Sequence, residues 1–238
     1  ANGCELQLEY FNPGHAWEED TKIFEQQINL RVTGLKNTIH KISAEINSLE
    51  RLGLTTMSKV VLLAADNAAS KACANELKKN IEQIFGLAKQ NIEIKRIKGL
   101  QVHDVKSLKE QGFRELVTTI LAYLTDDNLN YQYDLILNPT GGYKGVIPFV
   151  TVLGMLYGKR SVYIFEHAEQ LINLPPLPFS FDIDIYNRVV PALKRIDEQT
   201  AIAEQEYYAC IIDYTEQEKP LFTSFIEPIG DNMVTISP

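Results

Sequence analysis

At 238 residues, with 45% hydrophobic and 23% charged residues, the chain has the size and balance of a globular protein with one substantial core. Its formal net charge of −8 argues against binding long nucleic acid, which relies on a broad basic surface. A small anionic ligand stays open, because a few donors in one cleft outweigh an unfavourable average. Three scattered cysteines, Cys4, Cys73 and Cys210, show neither metal spacing nor a C-x-x-C pair and read as reduced, cytoplasmic thiols. No apolar run approaches the ~18 residues of a membrane span, and no signal peptide is apparent, so no membrane partner is expected.

Both ends read as cut. The chain starts Ala1-Asn2-Gly3-Cys4 without an initiator Met and stops at Thr235-Ile236-Ser237-Pro238 inside a segment that reads as structured. The expectation is a piece of a longer protein, or a chain lacking its first strand. Asn12-Pro13-Gly14 is a turn signal, and apolar residues from Glu18 to Glu50 follow helical spacing, with Gly34 as a break between two helices. Lys59 to Ala65 is an unbroken apolar run suited to a strand covered on both faces. A helix is predicted over Ala68–Phe85, with Asp66 or Asn67 as its N-cap or, alternatively, as a ligand contact. Asn91–Ile97 reads as a strand, Gly99–Asp104 as a loop and Val105–Leu124 as a helix. His103 and Asp104 are adjacent without a third partner and read as a solvated loop pair.

Tyr133 to Leu137 reads as a buried strand and Val146 to Tyr157 as a helix. Between them runs Asn138-Pro139-Thr140-Gly141-Gly142-Tyr143-Lys144-Gly145. Strand, glycine turn and helix start form a common solution for holding an anion. Paired glycines let the main chain approach a ligand, and the first helical N–H groups lack internal partners. Thr140 adds a hydroxyl and Lys144 a mobile positive charge. The alternative is a tight turn that merely carries polar residues. The spacing fits neither the P-loop nor the dinucleotide G-x-G-x-x-G.

Arg160–Phe165 reads as a further strand, ending at Glu166-His167. Leu174-Pro175-Pro176-Leu177-Pro178 forms an extended connector, Phe179–Ile185 an edge strand or hairpin arm, Val189–Tyr208 a helix, and Phe222–Ile236 a hairpin turning at Pro228–Asn232. Strands alternating with helices imply βαβ units: an α/β fold with a parallel sheet flanked by helices and a small C-terminal helix and hairpin extension. In such sheets ligands gather beyond the carboxyl ends of the strands. Asp66, Asn67, the 138–144 turn, Glu166 and His167 are therefore expected along one rim.

Asn138-Pro139-Thr140-Gly141-Gly142-Tyr143-Lys144 resembles the Asn-x-Thr-Gly-Gly-aromatic-Lys motif of CRISPR-associated Rossmann-fold (CARF) domains. Ala44–Leu49, Leu63–Asn67, Gly99–Val102, Val162–Glu166 and the Leu174–Pro178 connector also resemble segments of the ring-nuclease-like branch of that family. The resemblance spans about residues 40–185 and implies a Rossmann-like sensing domain over residues 1–186. Residues 187–238 would be a C-terminal helix and the start of a following module or dimerisation extension. It further implies a homodimer or higher oligomer that binds cyclic oligoadenylate, the tetra- or hexa-adenylate messenger of type III CRISPR immunity, with no other cofactor and no metal.

In that reading Gly141 and Gly142 present amides to phosphates and Lys144 supplies charge. Thr140 offers its hydroxyl, Tyr143 packs near a base, and Asn138 orients the turn or contacts ribose, with Asp66, Asn67 and Glu166 on the rim. One departure stands out: family members usually open with a strand ending in a Gly-Thr-Ser-type loop, and no residue before Ala1 supplies it. The function expected is a ligand-sensing domain that controls an effector module beyond Pro238. The first alternative is a metal-independent ring nuclease degrading cyclic tetra-adenylate, with Lys144 as catalytic charge stabiliser. The second is a ligand-controlled transcription regulator with a C-terminal winged-helix module.

Overall fold

The computed structural model describes residues 16–17, 21–22, 25–26, 28, 43–141, 143–164, 170–175, 177 and 182–237. The chain divides into two compact units, one ending at Leu177 and the other beginning at Pro178.

The first unit contains α1 (Ala44–Leu52), β1 (Val60–Ala65), α2 (Ala68–Phe85), β2 (Ile92–Ile97), α3 (Phe113–Leu124), α4 (Asp127–Gln132), β3 (Ile136–Leu137), α5 (Ile147–Leu156), β4 (Arg160–Tyr163) and β5 (Ile172–Leu174). β1 and β2 pair in parallel, from Val60↔Ile92 to Ala65↔Ile97. β3 and β4 are also parallel, through Ile136↔Arg160 and Leu137↔Ser161. β5 returns antiparallel on β4, opposite Ser161 to Tyr163. Parallel strands joined through flanking helices make this unit α/β and Rossmann-like. The pairs form a two-stranded sheet and a three-stranded sheet rather than one continuous ladder.

Local chemistry sets these elements. α2 begins where the Asn67 side chain accepts a hydrogen bond from Ser70 N, and it ends at Gly86, whose φ of 66° suits a residue without a Cβ. Ile81, Ala68 and Ala72 on its inner face are fully buried. α1, β1, α2 and β2 share one apolar cluster built on Ile46, Leu49, Val60, Ile81, Leu87 and Ile92. α3 and α5 share another with Ile97 and Leu100, against which Leu135 and Leu137 pack.

Several boundaries differ from those expected. The strand expected over Tyr133–Leu137 shrinks to Ile136–Leu137, because Asp126 caps α4 and Tyr133 N still bonds Leu129 O. The helix expected from Val105 holds to Leu124 but passes through a π-turn at Leu108–Gly112. Leu174 closes strand β5 before the proline connector begins. Most of the region read as helices from Glu18 lies outside the described residues, as do Asn2, the Asn12-Pro13-Gly14 turn, Phe165 and Phe179–Phe181.

The second unit contains α6 (Ile183–Gln199), β6 (Ile202–Ala203), α7 (Glu204–Ala209), a 3₁₀ turn at Glu216–Glu218 leading into α8 (Lys219–Thr223), and the hairpin β7 (Ile226–Gly230) and β8 (Met233–Ile236). Its sheet runs β6-β8-β7, antiparallel throughout. Helix, strand, two helices and a hairpin follow in that order, with the first strand paired to the last. The part of the expected edge strand that is described, Asp182–Ile185, opens α6 instead: Asp182 accepts from Ile185 N and so starts a helix that the Ile183/Ile185 alternation disguised. One long helix over Val189–Tyr208 becomes two, broken at Thr200 with φ of 70°. The hairpin turns at Asp231 and Asn232, both at positive φ, a conformation these side chains tolerate. Tyr207 and Phe222 are fully buried at the centre of this unit, where the Tyr207 hydroxyl donates to Phe222 O at 2.8 Å.

Candidate ligand-binding site

β3 delivers the chain into the glycine turn. A 3₁₀ turn at Lys144–Val146 then runs directly into α5, and neither helical start carries a side-chain cap. Val146 N bonds Tyr143 O, Ile147 N bonds Lys144 O and Pro148 has no N–H, so the first residues of α5 offer a ligand no free amide. A cavity of about 190 Å³ lies against this turn, lined by Ala44, Glu45, Pro139, Thr140, Gly141, Lys144, Ile147, Tyr163 and Ile164. Three elements meet there: the first turn of α1, the turn after β3 and the end of β4.

A chain of hydrogen bonds holds them together. Asn138 Nδ2 donates to Ser48 Oγ at 2.7 Å, and Ser48 Oγ donates in turn to Glu45 O at 2.7 Å. Asn138 Oδ1 accepts from Thr140 Oγ1 at 2.5 Å, and Thr140 Oγ1 accepts from Ile164 N at 3.2 Å. Ser48 is fully buried, so the path from α1 through the turn to β4 is partly sealed from water. Asn138 thus ties the turn to α1. The proton of the Thr140 hydroxyl is committed to Asn138, which leaves this side chain a turn-closing group first.

Lys144 is exposed and makes no ion pair among the described residues. Tyr143 is 41% exposed; its ring lies against Gly145, where an added Cβ would meet ring carbons at 2.5 Å. Gly141 is crowded from the α1 side, since a Cβ there would fall 1.9 Å from a Glu45 carboxylate oxygen. That contact explains the glycine without any ligand.

Not every expected rim residue joins this cavity. Asp66 accepts from Arg96 Nε at 2.5 Å and from Gly99 N at 2.8 Å, bracing the loop after β2. Asn67 caps α2. Neither lines the cavity. Gly142, Glu166 and His167 lie outside the described residues. Glu45, Ser48, Tyr163 and Ile164 were assigned no site role from the sequence, although they lie in two of the segments that carry the family resemblance. The one local signal was the three-residue spacing of Glu45 and Ser48, which places both on one helix face behind the Ser43 N-cap. Among the described residues no group of three His, Cys, Asp or Glu is placed to hold a metal. No helix among them is long and apolar enough to cross a membrane.

Residues 40–177 match the family model described as CRISPR-associated protein (Cas_APE2256). The chain belongs to that family. The match covers more than half of the 238 residues and contains the whole turn, the cavity and both parallel strand pairs. No curated protein matches the chain. This CRISPR-associated chain therefore carries its candidate site inside the family segment, while α6 to β8 lie beyond it.

Proposed function

We propose that residues 1–177 form a sensor for cyclic oligoadenylate, acting as a homodimer within a CRISPR antiviral response and controlling a module that follows. The observation that carries the reading is the cavity at the glycine turn, lined by Thr140, Gly141 and Lys144, whose ammonium makes no ion pair among the described residues. A phosphate suits a lysine presented beside the main chain of a glycine turn. Charge is distributed in agreement. Residues 178–238 hold eleven Asp and Glu against four Lys and Arg, a net −7, and the whole chain is −8, so residues 1–177 are nearly neutral at −1. A small polyanion meets little general repulsion there.

Size supports the dimer. About 190 Å³ falls below the ~300–1,000 Å³ of clefts that enclose drug-sized ligands. One copy accommodates a fraction of a tetra- or hexa-adenylate ring, and a two-fold-symmetric ring is suited to two copies of one turn. Cleavage of the ring at this site asks for more than binding: in-line alignment of a ribose hydroxyl on its phosphate.

The element order of the second unit, helix, strand, two helices and hairpin with the first strand paired to the last, resembles that of a winged helix and supports a further reading, a ligand-controlled transcription regulator. Its charge opposes this. The segment leading into α8 carries Glu216 and Glu218 beside Lys219, and a net −7 repels a phosphate backbone. A mobility-shift assay with duplex DNA at physiological salt, with and without cyclic adenylate, should show no retardation.

The sensor reading is tested with labelled cyclic tetra- and hexa-adenylate in metal-free buffer. The expected result is retained, intact ligand, and at least about tenfold weaker retention by Lys144→Ala, since a charge-assisted contact contributes ~1.5–3 kcal/mol. Linear products with 2′,3′-cyclic phosphate ends would instead identify a ring nuclease. Absence of binding to either ring would refute both.

A further inference from the structure

Glu45 is the unexpected member of this cavity. A carboxylate on the wall of an anion site is unfavourable unless the ligand brings it a hydrogen-bond donor, because like charges close together repel. Yet its backbone is held firmly: Ser43 caps α1 through Ile46 N at 3.1 Å, and Ser48 ties the same turn of helix to Asn138. The carboxylate presses against Gly141, and its oxygens make no hydrogen bond or ion pair among the described residues, although Lys144 lines the same space. Two opposite charges that share a small cavity without pairing are both unspent among the described residues.

The chemistry of a phosphodiester explains why both would be kept. Lys144 answers the phosphate. The hydroxyl on the neighbouring ribose carbon is the donor nearest that phosphate in a ribonucleotide, and the deoxyribonucleotide lacks it. The exocyclic amine of adenine, the other donor, sits at the far end of the base. An acceptor-only group fixed within one side chain of the phosphate contact is matched to the hydroxyl.

Resting on the sensor reading, we infer that Glu45 is the residue by which this site distinguishes ribonucleotide from deoxyribonucleotide. Its carboxylate accepts the 2′-hydroxyl beside the phosphate held by the 140–144 turn. A site built to bond a hydroxyl rejects the analogue without it, because its own polar group is then left unpaired.

The test compares equilibrium binding of cyclic tetra- and hexa-adenylate with the all-2′-deoxy rings, in metal-free buffer and with ligand integrity checked. Wild type should prefer the ribo form by about tenfold or more. Glu45→Ala should bring the ratio close to one, by losing ribo affinity, by gaining deoxy affinity, or both. Glu45→Gln, which keeps the size but only a neutral acceptor, should fall between, and it carries the test if the alanine variant melts early. Lys144→Ala should weaken both forms and leave the ratio unchanged. An unchanged ratio in folded Glu45→Ala and Glu45→Gln overturns the assignment, including the case where both forms bind tighter because the carboxylate merely covers the turn. If wild type binds neither ribo ring, the sensor reading itself fails, and this inference falls with it.

Discussion

Asn138→Ala is the sharpest perturbation of the site, because this side chain ties α1 to the turn and holds the Thr140 hydroxyl that carries the path on to Ile164. The change removes the 2.7 Å bond to Ser48 Oγ and the 2.5 Å bond from Thr140 Oγ1. Neutral hydrogen bonds contribute ~0.5–1.5 kcal/mol each net of water, so the expected loss is about 2 kcal/mol. The buried Ser48 hydroxyl keeps its donation to Glu45 O, which prevents a larger penalty. For a unit of this size about 2 kcal/mol corresponds to a fall in Tm of roughly 4–8 °C. Calorimetry on Asn138→Ala, Ser48→Ala and the double variant reads it directly. The two residues share one bond, so the double variant should be less destabilised than the sum by about 1 kcal/mol. Strict additivity, or a Tm within about 1 °C of wild type for Asn138→Ala, would refute the claim that this network holds the turn in place.

Gly154→Ala should destabilise the first unit by about 1–3 kcal/mol in urea unfolding, since its Cβ would stand 2.3 Å from Ser161 Oγ and force α5 off β4. In the second unit, Tyr207→Phe should cost about 0.5–1.5 kcal/mol by removing the hydroxyl's bond to Phe222 O, which keeps its bond from Phe225 N, and an unchanged urea midpoint would contradict that. The same unit should show an acid limb set by Glu218. Hydrogen bonds from Arg188, joined by Thr215, hold its carboxyl down at about 2 against an ordinary value of 4.5. A lowered folded value means stability present above pH 4.5 and lost as pH falls toward 2. The gap in unfolding midpoint between wild type and Glu218→Gln should therefore close across that window, and parallel curves would exclude the pair.

Much of the architecture could be read in advance, for identifiable reasons. β1 and α2 are flanked by strong local signals: an unbroken apolar run, an Asn N-cap and a C-terminal glycine. The turn after β3 was legible because glycines, a lysine and a following apolar stretch are contiguous. The second unit was harder. Ile183 and Ile185 alternate like a strand, yet Asp182 starts a helix, and the break at Thr200 depends on a positive φ that no neighbour announces. Asp66 looked available for a ligand, but its partners Arg96 and Gly99 lie some thirty residues away.

By itself the sequence determined where β1, α2, β2 and the anion-friendly turn lie, since caps, periodicity and glycines act over a few neighbouring residues. It also determined that nearly all the net negative charge falls after residue 177. Only the tertiary structure decided that α1 brings Glu45 and Ser48 against that turn, that Thr140 spends its proton on Asn138, and that Asp66 braces a loop away from the cavity. Contacts between residues ninety positions apart, such as Asn138 and Ser48, form only when separate elements pack, and no local pattern encodes which polar groups then meet.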